Sequence, residues 1–270
     1  MIYLHAPPAP LLRHYIECYW YASTQGGSLF NEKEIYFPDL RAELYFNFGE
    51  PYEYQGYGKV PAGIHLWAPR MQGKSLSNLH GIKFLVVRFT PLGFNHFYTG
   101  ILSDLHGQKV GFEYLDGNSY QMLLDNLSDK SFHSAIQYLD KYFLGLIADR
   151  SYEEKRALHL YNNIISNPYG KIKDFISICG YTYRTANRHF KDIFGIAPKQ
   201  LQLGAKFNLA LNLLKQGEHD IEAISFLAGY YDSSDMSGYF RETVGKSPTE
   251  LLRSNNLILH ALHPRLKRIN

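Results

Sequence analysis

The sequence predicts two domains of different class. The N-terminal half is mainly β, a small barrel or sandwich with flanking helices, and the C-terminal half is all-α and contains one helical motif twice. Three observations carry this expectation. Ile172, Phe175, Ile178, Gly180 and Tyr181 recur forty-nine positions later as Ile221, Ile224, Leu227, Gly229 and Tyr230. Beyond the second Gly-Tyr the offset is fifty, so Thr182, Phe190, Lys191, Gly195, Pro198 and Leu201 return as Asp232, Phe240, Arg241, Gly245, Pro248 and Leu251. A repeat this regular is duplicated structure, with one residue inserted in the second turn. Residues 1 to about 125, in contrast, hold short β-favouring runs between Gly and Pro. The charge is divided in the same way. Residues 152–270 carry sixteen Lys/Arg against eleven Asp/Glu, a net +5, whereas residues 1–151 carry twelve against fourteen, a net −2. A basic C-terminal half suits a polyanion partner and a near-neutral N-terminal half does not.

From the N-terminus, Pro10 to Tyr21 reads as a helix leading into a strand. Leu44 to Phe48 is a strand that follows Pro38-Asp39 and stops at Gly49; Ile64 to Trp67 stops at Ala68-Pro69, and Lys83 to Phe89 at Thr90-Pro91. Asp104 to Asp125 is expected to be helical and polar, broken near Gly111 and Gly117. Apolar residues at 132, 135, 136, 139, 143 and 146 make Phe132 to Leu146 a helix that leads into the second domain.

Each copy of the repeat reads as a helix-turn-helix. Ile172, Phe175, Ile176 and Cys179 give a short helix one apolar stripe. Gly180 supplies the turn, and Thr182 is placed to cap the next helix. That helix, Tyr183 to Phe194, sends Ala186, Phe190 and Phe194 inward and leaves Arg184, Asn187, Arg188 and Lys191 outward. Gly195 ends it, and Pro198 opens a further helix from Lys199 to Leu214, whose stripe Leu203, Phe207, Ala210, Leu211 and Leu214 is expected to pack on both units. A short helix, a tight turn and a helix with a basic-polar face is the arrangement that enters a major groove.

The run IKDFISICGYTYRTANRHFKDIFGIAPKQL, the helix KFNLALNLL and the run IEAISFLAGYYDSSDMSGYFRETVGKSPTELLR resemble the AraC/XylS transcription regulators over residues 155 to 253. G-x-x-P closes both units and a Gly-aromatic pair opens both turns. The resemblance implies two helix-turn-helix units joined by a long helix. Carried over residue by residue, it makes Arg184, Asn187, Arg188, Lys191, Ser233, Ser234, Ser237 and Arg241 the DNA-facing positions. This chain departs from the pattern at Lys206 and Gly238, where Arg is usual, and at Ser225, where Ala is usual. With Ser234, Ser237 and Gly238 standing where the first unit has Arg184, Asn187 and Arg188, the second unit is expected to read DNA weakly.

Pro38, Asp39, Arg41, Glu43, Leu44, Phe46, Asn47, Phe48 and Gly49, with Val87, Arg88, Phe89, Pro91 and Gly93, are similar to the cupin-like sensor halves of some AraC-type regulators. This second resemblance implies a β-barrel whose mouth holds a small effector. Tyr45, Trp67, Arg70 and Arg88 are the candidate effector contacts, with Trp20 beside them. A metal-dependent cupin would need clustered ligands, but His65 stands apart from His80, His96 and His106, and Trp67 occupies the place of a second His. No nucleophile elbow, P-loop or dinucleotide fingerprint is present; Gly56-Tyr57-Gly58 lacks the third glycine. Neither a metal nor another cofactor is therefore expected. Cys18 and Cys179 lack metal spacing and read as packing thiols.

The domain boundaries expected are 1–128 for the cupin-like sensing or dimerisation domain, 129–154 for a helical linker, 155–255 for the DNA-binding domain and 256–270 for a tail. Prolines interrupt any N-terminal leader and no window is apolar enough to span a bilayer, so the expectation is a cytoplasmic protein. Its expected partners are double-stranded operator or promoter DNA and a small effector, with RNA polymerase and a second copy of the chain also admitted and membranes excluded. Two other classes remain open at this level. One is an enzyme, either a β-barrel catalyst or a DNA-repair protein with an acceptor cysteine; the other is an interaction module that has lost DNA binding.

Overall fold

The computed structural model describes residues 2–24, 33–36, 38–98, 102–105, 108–147, 152–218 and 220–253. Among these, the strands are β1 (Ile2–Ala6), β2 (Ile16–Ser23), β3 (Lys33–Tyr36), β4 (Glu43–Asn47), β5 (Tyr52–Tyr54), β6 (Gly58–Val60), β7 (Gly63–Trp67), β8 (Lys74–Ser77), β9 (Lys83–Phe89) and β10 (Lys109–Gly111). They form an antiparallel sheet of order β1-β2-β9-β4-β7-β10 and a smaller one of order β3-β8-β5-β6. The helices are α1 (Gly93–Phe97), α2 (Leu102–Leu105), α3 (Gly117–Leu127), α4 (Phe132–Leu144), α5 (Tyr152–Ser166), α6 (Ile172–Ile178), α7 (Tyr183–Phe194), α8 (Pro198–Lys215), α9 (Ile221–Leu227), α10 (Ser233–Val244) and α11 (Pro248–Arg253).

The three strands read from the sequence are β4, β7 and β9, and they lie side by side, with Tyr45 opposite both His65 and Val86. Successive side chains point to opposite faces of a strand. Leu44, Phe46, Leu66, Val87 and Phe89 therefore enter a core closed by Leu123, Leu139 and Phe143 of α3 and α4. Tyr45, Trp67, Phe84 and Val86 face Tyr52, Tyr54 and Leu76 of the smaller sheet. Because both faces are covered, these strands read as continuous apolar runs without alternation.

Several expectations change in detail. Pro10 to Tyr21 contains a turn of 3-10 helix, Pro10–His14, before β2 begins. The polar helix expected from Asp104 to Asp125 is interrupted by β10, which pairs Val110 with Leu66 and so satisfies the outer edge of β7. The 129–154 segment does more than link. α4 buries Ala135, Ile136, Leu139 and Phe143 in the first core, and Asp140 accepts a 2.8 Å hydrogen bond from the Tyr19 hydroxyl. The tail at 256–270 lies outside the described residues.

In the C-terminal half, α5, α6, α7 and Leu201 of α8 enclose Leu160, Tyr161, Ile176, Phe190 and Phe194. Further along α8, Phe207, Leu211 and Leu214 enclose Ile224, Met236, Phe240 and Leu251 of α9 to α11. The residue that α8 gives to the first core is thus Leu201, fully buried, while Leu203 is half-buried. Leu201 and Phe207 are six residues apart, which at 100° per residue sets the two cores on faces of α8 roughly 120° apart. A single straight stripe could not have served both.

The two halves are docked. Leu40 and Leu92 of the β domain join the core of the first helical unit, and Leu40 sits so close to Gly204 that a Cβ there would meet its Cδ2 at 2.8 Å. Beside Leu40, the Arg41 guanidinium donates to the Tyr161 hydroxyl of α5. Arg41 belongs to a buried ionic cluster. Arg88 lies 2.5 Å from Asp39 and 2.7 Å from Glu43, and both arginines approach Glu17, Arg41 at 3.3 Å and Arg88 at 3.7 Å. Burial pushes the Glu43 carboxyl above its usual range. Burial also opposes the charged form of Arg88, but Asp39, Glu43 and Glu17 outweigh it and hold its pKa well above the ordinary value.

Arg88→Met should cost about 3–5 kcal/mol near pH 7, because it strands buried carboxylates without their counter-charge. Glu43 has a raised folded pKa, so its charged form is the penalised one and stability rises as pH falls through that value. The loss in Arg88→Met should accordingly shrink toward about pH 5. Urea unfolding at the two pH values measures this, and a loss that did not depend on pH would contradict the assignment.

Candidate nucleic-acid interface

Each recognition-helix candidate begins at a cap the sequence specifies. Gly180 and Gly229 take φ of +69° and +78°, which a side chain would resist, and so reverse the chain sharply. Thr182 Oγ1 then accepts from the Thr185 N–H at 3.2 Å, and an Asp232 carboxylate oxygen accepts from the Asp235 N–H at 2.7 Å. The last carbonyls before each turn also have a dedicated donor. Arg156 of α5 donates to the Cys179 carbonyl at 3.1 Å and to that of Gly180 at 2.7 Å, with its guanidinium 3.9 Å over the Tyr181 ring. In the second unit Lys206 of α8 donates to the Gly229 carbonyl and lies 5.9 Å from the Tyr230 ring.

Arg156 and Lys206 are fifty residues apart, so the repeat begins a helix earlier than the sequence comparison placed it. At the same offset the buried Ala157, Leu160, Tyr161 and Ile164 become Phe207, Ala210, Leu211 and Leu214. The repeating unit is therefore three helices, α5-α6-α7 and then α8-α9-α10. Testing an offset of fifty upstream of Ile172, where the first motif repeats at forty-nine, would have found it, since the positions keep their apolar character even where the residues differ. Lys206, a departure from the family pattern, does the turn-holding work with a single ammonium group. Ser225, another departure, is buried in α9.

The outward faces of the two units differ. On α7, Arg184, Arg188 and Lys191 are exposed and Asn187 is half-buried, one stripe at steps of three and four. The Asn187 amide donates to the Tyr183 carbonyl at 3.0 Å, and an Arg188 Nη2 lies 3.3 Å from the His189 Nε2. On α10, Ser234 and Arg241 are exposed and Ser233 and Ser237 half-buried. Gly238 is exposed, and among the described residues nothing beyond its own stretch of helix lies within 4 Å of the Cβ it lacks, so it serves no close packing there. α7 sets three Lys/Arg against Asp192, while α10 sets Arg241 against Asp235 and Glu242. Asp235, which the sequence reading passed over, accepts from the Tyr231 N–H at 3.2 Å and fixes a negative charge at the start of α10. Its position three residues after the cap Asp232 was the available signal. Tyr231, at the inserted position, is 94% exposed.

Three of the four candidate effector contacts, Tyr45, Trp67 and Arg70, are brought together against the aromatic cluster between the two sheets. Tyr45 and Trp67 stack at 4.7 Å, Trp20 meets Tyr45 edge-on at 5.5 Å, and Arg70 lies 5.2 Å over the Trp67 ring. Tyr52, Tyr54 and Phe84 occupy the same cluster. Arg88 belongs to the ionic cluster, and Arg70 also borders a cavity of about 450 Å³. Both cysteines are buried, and burial pushes the Cys179 thiol up, away from an activated thiolate. Among the described residues no three His, Cys, Asp or Glu group to hold a metal, and no helix is long and apolar enough to cross a membrane.

Residues 177–254 match the family described as a helix-turn-helix domain, and residues 4–111 match a domain of unknown function. A curated relative, the probable transcriptional regulator LumQ of Photobacterium leiognathi, is 27% identical over 127 residues, 46% of this chain. The chain spans about half, 51%, of that relative's length. Among solved structures, ToxT from Vibrio cholerae covers 87% of this chain, and 98% of its own, at 14% identity and a TM-score of 0.49. The DNA-binding domain of AdpA in complex with a target DNA covers 36% of this chain and 90% of its own, at 18% identity and a TM-score of 0.35.

Lys206→Met keeps the apolar stem but removes the donor to the Gly229 carbonyl. It should destabilise the second unit by about 1 kcal/mol, the net worth of a partly exposed hydrogen bond. Lys206→Arg should recover most of that loss. Urea unfolding with amide exchange at the α9–α10 turn reads both, and equal stability of all three proteins would remove Lys206 from this role.

Proposed function

We infer that this chain, a member of the AraC family of helix-turn-helix proteins, is a transcription regulator that reads DNA mainly through α7. The observation that carries the reading is the exposed stripe Arg184, Asn187, Arg188 and Lys191 on a helix whose other face is locked into a core. Arg pairs bidentately with guanine and Asn with adenine, each pair giving roughly 1–3 kcal/mol of discrimination. The second unit, with Ser233, Ser234, Ser237 and Arg241 as its contacts, holds phosphates and selects little, because its fork is absent and Asp235 opposes the phosphate charge. The N-terminal domain is the sensing part, acting on α5 through Arg41 and Tyr161. The reading makes the protein a cytoplasmic regulator and not an enzyme, with RNA polymerase and a second copy of the chain as its protein partners.

Selection of bound sequences from random duplexes at fixed salt tests the reading, and it should return one defined half-site and one degenerate half-site. Arg188→Ala should weaken the selected site by roughly 1–3 kcal/mol and relax one base position. Lys191→Ala should weaken all duplexes alike and flatten the salt dependence by about one phosphate contact. Two equally defined half-sites, or an Arg188 variant with unchanged preference, would sink this division of labour.

Gly238 separates two accounts of α10. Since a Cβ there meets no described residue beyond its own stretch of helix, Gly238→Ala should stabilise the helix by up to about 1 kcal/mol and leave DNA affinity unchanged. Gly238→Arg should tighten binding to duplexes in general. Weaker DNA binding by the Ala variant would show instead that the glycine admits close approach of the DNA backbone.

A further inference from the structure

Behind Arg188 on α7 stands a half-buried imidazole, His189, whose ring lies edge-on to Tyr181 at 5.7 Å. Its Nδ1 is 3.1 Å from a Glu153 carboxylate oxygen on α5, and its Nε2 is 3.3 Å from Arg188 Nη2. Glu153 also accepts from the Tyr181 hydroxyl at 3.0 Å and from Arg156 at 3.0 Å. Desolvation works against its charged form, but those hydrogen bonds and the Arg156 charge outweigh it and hold the carboxyl below its usual range. An ionised carboxylate only accepts. The proton between Glu153 and His189 is therefore on Nδ1, and in the neutral ring Nε2 keeps a lone pair facing Arg188.

At the offset of fifty, Glu153, Arg188 and His189 become Leu203, Gly238 and Tyr239. The second unit lacks the carboxylate, the arginine and the imidazole together, although it keeps the turn-holding cation and the apolar core. A relay needed only for the turn or the core would be expected in both copies. We propose that His189 is a positioning residue for DNA reading: its neutral ring, oriented by Glu153, accepts from Arg188 and holds that guanidinium ready for one base pair, a role that rests on the reading of α7 as the DNA-facing helix. A side chain already ordered loses less freedom when it engages a base. Of the guanidinium's five donors one faces His189, and the others remain for a two-pronged contact with guanine. The gain falls on the matching base pair alone, since general attraction to phosphates does not require Arg188 to be ordered. Protonation of His189 turns Nε2 into a donor opposed to Arg188 and adds positive charge to α7. Discrimination at that base pair then falls while attraction to any duplex rises. Among the described residues, the ionisable groups in contact with the ring are Glu153 of α5, Tyr181 of the turn and Arg188, and Arg156 reaches it through Glu153. Lys191 and Asp192 follow on the same helix.

The test uses the full chain, the duplex recovered by selection, and the same duplex changed at the one base pair that Arg188→Ala relaxes. At about pH 8, His189→Phe should reduce discrimination between the two duplexes about two- to tenfold, the worth of ordering one long side chain. His189→Gln, whose amide carries one donor and one acceptor, should restore most of it. Histidine changes charge between about pH 5 and 8, so lowering the pH to about 5.5 should reduce discrimination in the unmodified protein and leave the Gln variant unchanged. A merely structural histidine would give no such difference. Nitrogen NMR of the imidazole, without DNA, should show the proton of the neutral ring on Nδ1. A proton on Nε2, undiminished discrimination in His189→Phe, or the same pH dependence in the unmodified and Gln proteins overturns the proposal. An Arg188→Ala protein that relaxes no base pair refutes the reading of α7 and this role with it. A base preference lost in Arg188→Ala but kept in His189→Phe refutes this role alone.

Discussion

Helix α8 is the constraint on which the C-terminal half depends. Leu201 near its start completes the first core, and from Lys206 onward it is the first helix of the second unit, with Phe207, Leu211 and Leu214 in a different core. One rigid rod therefore fixes the distance and rotation between α7 and α10, because no flexible joint lies between the two cores. The rotation follows from the six-residue separation of Leu201 and Phe207, so it is written into where the apolar residues stand along the helix. Helices α7 and α10 are thereby held as one body, at a spacing the protein sets. Gly204 lies between these two contact points and brings the backbone of the same helix against Leu40. The rod that joins the two units is thus also the surface on which the β domain rests.

Duplication explains why the two units look alike inside and different outside. The inward positions must fill equivalent cores, so Phe190 and Phe240, or Ile176 and Ser225, stay small or apolar and buried. Nothing in the packing constrains the outward positions. There the first copy holds Arg184 and Arg188 and the second holds Ser234 and Gly238, at no cost to a core. Capping is likewise retained by chemistry more than by identity, since Thr182 and Asp232 both accept from the N–H three residues on. Arg156 and Lys206 show the same economy, a guanidinium serving two carbonyls where an ammonium serves one. A guanidinium also stacks closer on its tyrosine than the ammonium does, 3.9 Å against 5.9 Å.

The helical half was legible because its signals are local. A Gly at the turn, a cap and apolar residues at helical steps fixed α7 at Tyr183–Phe194 to the residue. The strands β4, β7 and β9 were legible from their flanking Pro and Gly. Their order in the sheet was not, because pairing of Tyr45 with Val86 joins residues forty-one positions apart and leaves no periodic trace. β10 was missed for the same reason, as three residues beside Gly111 are a strand only because β7 has an open edge for them. The motif residues Asp39, Arg41, Glu43 and Arg88 stood out in the sequence as parts of one pattern, and the fold gathers them into one ionic cluster. Sequence showed charged residues in and just before the strands and could not show that Arg88 lies against Asp39 and Glu43.

That ionic cluster bears on how the β domain is held against the helical half. Buried charges are a costly way to build a core, since apolar residues of similar volume would stabilise it as well or better. What a charged cluster offers is directional dependence: each guanidinium is satisfied only in one arrangement of its acceptors. Arg41 has acceptors in both domains, Glu17 on β2 and Tyr161 on α5. Moving α5 relative to the sheet breaks the Tyr161 contact and leaves a buried guanidinium one acceptor short, a penalty that rises over a fraction of an ångström. Apolar contacts such as Leu40 on Gly204 tolerate sliding far better. The docked arrangement is thus held in register by one hydrogen-bonded cation and held together by apolar packing around it. Tyr161 in turn packs on Phe190 and Phe194 of α7, so the side chain that receives the Arg41 hydrogen bond is also part of the core under α7.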